Sequence, residues 1–197
     1  MDTLRSVLEP AKQVKVALET DLVVIGGSCT GLFAAVRAAR LGVRVAIVEK
    51  QNCFGGMATC GFVNVWHSLH DVDGNQQVIA GLTQETIDRL KPRRGVMYNK
   101  NENIAYRLDT EELKIELDML ARESKLRVFL HTVYCAPYLQ DGELKGVFIE
   151  NKDGRQAILA RFVIDASGDG DVARDLSLTC YRHDPLQPPT PGFKLYG

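Results

Sequence analysis

The sequence predicts an α/β fold: a parallel sheet with flanking helices and a three-stranded antiparallel β-meander. Three observations carry that expectation. An apolar, β-branched run (Leu22–Ile25) turns at glycines into an alanine-rich stretch, and a second apolar run (Val43–Val48) follows Gly42. Short, wholly apolar runs suit strands buried on both faces, and the alanine-rich stretch suits the crossover helix between them. Further on, Asp109-Thr-Glu-Glu112 precedes Leu113, Leu117 and Leu120 at helical spacing, a capping box opening an amphipathic helix. Four strand-like runs follow, Arg127–Leu130, Val133–Gln140, Glu143–Glu150 and Arg155–Ala160, with Asp141-Gly142 and Asp153-Gly154 as hairpin turns. The last of them returns to the sheet at Phe162–Asp165.

In chain order, the first residues read as a short helix up to Glu9, stopped by Pro10, with Val14–Leu18 as a lead-in strand. Asp21 to Glu49 then gives strand, glycine turn, helix, strand and acid, the order of a Rossmann unit that holds a dinucleotide. Each part has a physical task. Gly26 permits the tight turn out of the first strand, and Gly31 lets the helix lie close to the sheet. Across Gly27, Ser28, Cys29 and Thr30 the helix opens, with its free N–H groups toward a pyrophosphate. Glu49 accepts hydrogen bonds from both ribose hydroxyls and would repel a 2′-phosphate, which disfavours NADP. Ser28 stands where the G-x-G-x-x-G pattern has its middle glycine. Its side chain narrows the approach but offers a hydroxyl donor, and Gly27 restores part of the flexibility.

After Glu49 the chain reads Lys50-Gln-Asn-Cys-Phe-Gly55-Gly56-Met57-Ala58-Thr59. Much later comes Phe162-Val-Ile-Asp165-Ala166-Ser167-Gly168-Asp169-Gly170-Asp171-Val172-Ala173. With the Asp21–Glu49 unit, these stretches resemble the FAD-dependent oxidoreductases of the glutathione-reductase-like Rossmann type, from Asp21 to about Asp175. The resemblance implies FAD as cofactor, a Rossmann-like FAD/NAD(P)-binding domain, and hydride or electron transfer with a small-molecule substrate. It implies a second backbone approach to FAD at Lys50 and Gly55 to Thr59, and a third at Ala166, Ser167 and Gly168. It also sets the backbone of Val133 at the adenine edge. Around Phe62–His70 it raises Trp66, His67 and His70 as substrate contacts. The residues themselves favour Trp66 in the core and the histidines on a loop, because a histidine needs a placed partner to act as acid or base. No catalytic residue is assigned.

Other motifs read more plainly. Gly81–Leu90 is a short helix stopped before Pro92. Lys91, Arg93, Arg94 and Lys100 form a solvated basic loop, with contact to an anionic substrate as the alternative. Asp71-Val-Asp73-Gly74-Asn75 is a turn cluster lacking the rest of a calcium loop, and no metal site is expected. The five cysteines show no C-x-x-C. Cys53 and Cys60 bracket the glycine doublet and read as two unpaired thiols; a redox pair is the alternative, although related disulfide reductases use a different spacing. Cys29, at the start of a helix, reads as a spacer.

Composition narrows the partners. A net charge of -1 argues against a nucleic acid, which requires a basic patch. No apolar stretch is long enough to span a membrane, and the first residues lack a signal-peptide core, so a cytoplasmic location is expected. The expected division is a lead-in over residues 1–19, an FAD-binding domain over 20–183, and a proline-rich exit over 184–197 that starts a truncated substrate domain. There Phe193–Tyr196 reads as an edge strand open to association or homo-oligomerisation. The functional expectation is the FAD-binding portion of a flavin-dependent oxidoreductase. The alternatives are a non-catalytic dinucleotide-binding module and an assembly subunit.

Overall fold

The computed structural model describes residues 7–99, 106–181, 186, 188–190 and 192–195. Its main sheet has six strands in the order β6-β2-β1-β9-β8-β7. Here β1 is Lys15–Ile25, β2 Val45–Val48, β6 Arg127–Phe129, β7 Val133–Gln140, β8 Glu143–Asn151 and β9 Gly154–Asp165. The first four in that order run parallel, while β9, β8 and β7 form the antiparallel meander. A second, three-stranded sheet joins β3 (Val65–Trp66), β5 (Tyr106–Leu108) and β4 (Val96–Tyr98). The helices are α1 (Cys29–Arg40), α2 (Leu82–Leu90), α3 (Thr110–Glu123) and the short α4 (Asp171–Asp175).

The apolar runs behave as fully buried strands. Leu22, Val24, Val45 and Ile47 pack with Leu32, Ala35 and Val36 of α1 and the leucines of α3. Val23, Ile25, Ala46 and Val48 pack on the other face with Val147, Ile149, Ile158 and Val172. Because side chains alternate along a strand, a run buried on both faces must be apolar at every position.

Two expected breaks are absent. The lead-in strand and the Rossmann strand are one element, β1, although Thr20 and Asp21 interrupt its apolar character. Both residues turn to Arg44: the Thr20 hydroxyl donates to its carbonyl at 2.7 Å, and the Asp21 carboxylate receives its guanidinium at 2.8 Å. Likewise the last meander strand and the return to the sheet are a single strand, β9, paired with β1 from Gln156 to Asp165. The expected N-terminal helix lies partly outside the described residues, and 7–9 are not helical. Of the expected edge strand, residues 193–195 form no strand and Tyr196 lies outside the described residues.

Asp109 caps α3 as expected, accepting the N–H of Glu111 at 2.8 Å and of Glu112 at 3.1 Å. The reciprocal half of the capping box differs. The Asp109 N–H donates to the Gly95 carbonyl, and Glu112 pairs with Arg93. Ion pairs tie the helical layer together: Arg40 to Glu85, and Arg89 to Glu85, Glu123 and the buried Glu116. Lys91 and Arg93 of the basic loop are held by Asp88 and Glu112; Lys100 lies outside the described residues.

Candidate cofactor site

Where β1, β2 and β9 end, a cleft of about 590 Å³ opens, within the range of cofactor pockets. Ile25, Gly26 and Val48 line it at the strand ends. Gly26 adopts φ +100°, and a Cβ there would stand 2.2 Å from the Ala166 carbonyl oxygen. Both the turn and the close approach of the third motif therefore require glycine at this position. A Cβ on Gly31 would meet the Gly26 carbonyl at 2.0 Å, so that glycine brings α1 against the turn.

Glu49 is buried at the tip of β2. Its carboxylate accepts the Gly27 N–H at 2.6 Å and the Gln51 N–H at 2.7 Å, and its side chain lines the cleft. A carboxylate has about four acceptor positions, so two such bonds leave it able to receive ribose hydroxyls. Its main chain fixes the neighbouring strands: the Glu49 N–H donates to Phe129 and its carbonyl accepts from Thr132.

Ser28 lines the cleft and caps α1, its hydroxyl accepting the Gly31 N–H at 3.4 Å. Its φ of -59° is ordinary, so the backbone demands no glycine here. Room for its side chain comes from Gly56, where a Cβ would lie 3.0 Å from that of Ser28. The doublet loop and the glycine turn also meet through the backbone, Gly55 N–H to Gly27 carbonyl at 2.8 Å. The first-turn N–H groups of α1 have no intrahelical acceptors and carry the positive end of its dipole.

Across the cleft, Asp165 organises the third motif. Its carboxylate accepts the Ser167 hydroxyl at 2.7 Å and the N–H groups of Ser167, Val172 and Ala173 at about 3 Å. Burial pushes this carboxyl upward, but those hydrogen bonds outweigh it and hold its pKa below the ordinary value. Gly168, at φ +91° with open space around its Cβ position, presents bare backbone to the cleft.

Of the sequence-predicted residues, Gly26, Ser28, Glu49, Lys50, Gly56, Met57, Val133, Ala166, Ser167 and Gly168 line this one cleft. The others sit behind or beside it. Gly27 is buried against Phe54 and Glu49, Gly55 against Thr59, and Thr59 holds the loop through its hydroxyl on the Phe54 carbonyl at 2.7 Å. Ala58 is buried in the core, while Thr30 is exposed on the first turn of α1. Cys29 packs against the main core, and burial pushes its thiol up to about 11, opposite to the activation that a helix start gives an open thiol. Trp66 packs against the core, and His67 and His70 lie outside the cleft.

Sequence reasoning missed Gln51, Cys60, Thr132, Tyr134, Asp169 and Asp171 on the lining, and Asp165 behind it. The position of Tyr134, beside Val133, was the available signal. Its hydroxyl is buried near the Asp175 carboxylate without a well-formed hydrogen bond, and burial with the surrounding aspartates raises its pKa. The glycine cradle, the open helix N-terminus and the Glu49 carboxylate fit the polar, extended adenosine-pyrophosphate part of FAD.

Residues 21–181 match the family described as FAD dependent oxidoreductase. The chain belongs to that family. Its cofactor is FAD. A thiamine thiazole synthase from Methanococcus aeolicus is 29% identical over 169 residues, 81% of this chain and 59% of that protein. A ferredoxin–NADP reductase from Neorickettsia sennetsu is 24% identical, over 82% of this chain and 50% of its own length. The chain thus spans between half and three-fifths of these relatives. Among solved structures, Thermovibrio ammonificans THI4 superposes with a TM-score of 0.58 at 24% identity, covering 81% of this chain and 62% of that one. That likeness bears on the fold. Among the described residues, no helix is long and apolar enough to cross a membrane.

Proposed function

We propose that this chain is the FAD-binding portion of a flavin-dependent oxidoreductase that exchanges hydride or electrons with a small-molecule substrate. One observation carries the reading: Glu49, the N-cap Ser28 of α1 and the Ala166–Gly168 turn line a single cleft. In that arrangement Glu49 holds the ribose hydroxyls, the first turn of α1 neutralises the pyrophosphate, and the Gly26–Ala166 contact fixes the spacing between the two. The flavin, when bound, supplies the redox chemistry, and the protein supplies orientation and electrostatics. The substrate is expected to be small and neither a nucleic acid nor a membrane component.

A visible absorption spectrum of the purified chain tests the reading, followed by denaturation and identification of what is released. The expected result is a flavin spectrum with FAD released, and bleaching under anaerobic conditions with a reducing donor. A colourless chain that also fails to take up added FAD overturns it. A bound FAD that no physiological class of donor reduces would favour a non-catalytic binding module instead.

A further inference from the structure

The loop that carries the glycine doublet folds back on itself. Gly55 and Gly56 adopt φ +107° and +52°, a 3-10 turn follows over Gly56–Ala58, and Thr59 locks the return onto the Phe54 carbonyl. This reversal brings Cys60 onto Cys53, two free thiols whose sulfurs stand 3.3 Å apart within hydrogen-bond distance. Seven residues of separation in sequence thus end in van der Waals contact, where spacing alone suggested two separate thiols. Cys60 lines the cofactor cleft and Cys53 stands behind it.

We propose that Cys53 and Cys60 are a dithiol–disulfide couple in the wall of the cofactor cleft, oxidised by exchange with a small-molecule disulfide. Cys60, facing the cleft, is the attacking sulfur. Cys60 gives up its proton to solvent; its thiolate then displaces one thiolate from the small disulfide, which takes up a proton, and a mixed disulfide forms. Cys53 then gives up its proton to solvent, attacks the Cys60 sulfur and releases the second thiolate. The balance is one protein dithiol and one small disulfide giving one protein disulfide and two small thiols.

Two surroundings suit these roles. Burial and the neighbouring Cys60 push the Cys53 thiol up to about 11, so Cys53 stays protonated until the mixed disulfide stands beside it. The Lys114 ammonium on α3, paired with Glu111 at 2.9 Å, lies within electrostatic reach of the two sulfurs and offsets a small part of the rise at Cys53. The other three cysteines serve as internal controls, Cys180 being exposed. The couple requires no bound FAD and stands apart from the proposed oxidoreductase reaction.

The test equilibrates the purified full chain in buffers of reduced and oxidised glutathione, traps thiols by alkylation and maps the peptides by mass. The expected result is a Cys53–Cys60 disulfide while Cys29, Cys135 and Cys180 remain alkylatable. The folded chain should form it at a glutathione ratio at least about tenfold more reducing than the same chain in urea, equivalent to about 30 mV. Cys53→Ser should trap glutathione on Cys60, and Cys60→Ser should leave Cys53 unmodified. Glutathione accumulating on Cys180 while Cys53 and Cys60 stay reduced would overturn the proposal. So would a disulfide that forms no more readily in the folded chain than in urea.

Discussion

The Glu49 loop and the Asp165 loop leave the same end of the sheet, on either side of β1, and each folds a carboxylate back onto backbone N–H groups. Glu49 gathers two donors, from Gly27 and Gln51, and lines the cleft. Asp165 gathers four, from Ser167, Val172 and Ala173, and stands behind the lining. With about four acceptor positions per carboxylate, Asp165 is saturated by its own loop while Glu49 retains capacity for a ligand. Similar chemistry therefore divides into a carboxylate that only shapes the site and one that, in the proposed reading, also binds the ribose. The distinction makes quantitative demands on mutants.

Gly26 joins the two loops, so its replacement should be the most damaging. In Gly26→Val a side chain enters a left-handed conformation and collides with the Ala166 carbonyl. A loss of at least about 3 kcal/mol in urea unfolding is expected, with FAD binding abolished. Near-normal FAD affinity in this variant would mean that the two loops move independently.

Asp165→Asn comes next. The amide places an N–H₂ group against two backbone donors, and about 2–4 kcal/mol of stability should be lost. FAD affinity should fall only through the disordered turn, and saturating FAD should restore part of the stability. The wild type should also show this carboxyl in its pH dependence. Its folded pKa is depressed, so its contribution is present above the unfolded value of about 3.9 and is lost as pH falls through the folded value. Chemical denaturation from pH 6 down to pH 2 should therefore be flatter in Asp165→Asn than in the wild type.

Glu49→Ala should reverse the proportions. Stability falls by about 1–2 kcal/mol, since Gly27 loses a buried acceptor, while FAD affinity falls by about 1–3 kcal/mol through lost charge-assisted hydrogen bonds. Titration calorimetry with FAD checks this. Equal affinity in wild type and Glu49→Ala would remove the ribose assignment and leave Glu49 as structural as Asp165.

The two loops were not equally legible in the sequence. Gly26, Gly31 and Glu49 follow from local requirements, a turn, a close helix and an acid at a strand tip, and their spacing is set by one βαβ unit. The partners of Asp165 include N–H groups seven and eight residues onward, reached only because Gly168 and Gly170 reverse the chain. Nothing in periodicity encodes that. Long-range competition also explains the half-realised capping box, where Arg93 takes Glu112 away from the helix start. The sequence divides β1 into two pieces because Thr20 and Asp21 are polar, and their partner Arg44 lies on the far side of α1 in sequence. Cys53 and Cys60 depended on two left-handed glycines, whose combined turn no spacing rule describes.

Ser28 should give the smallest effect and the finest division between shaping and reading. Its hydroxyl accepts from Gly31 as a helix cap, yet its own O–H remains available toward the cleft. Ser28→Gly removes the cap at a cost of a few tenths of a kcal/mol, whereas Ser28→Ala should cost about 1 kcal/mol because the alanine caps nothing and cannot relax as glycine does. If the hydroxyl only caps, FAD affinity in the glycine variant should stay within about 0.5 kcal/mol of the wild type, because α1 still offers its N–H groups. If the hydroxyl donates to the pyrophosphate, both variants should lose roughly 1–2 kcal/mol of affinity, more than either change in capping explains. The first outcome leaves Glu49 as the side chain that reads the cofactor at this end of the cleft; the second makes Ser28 a reader too.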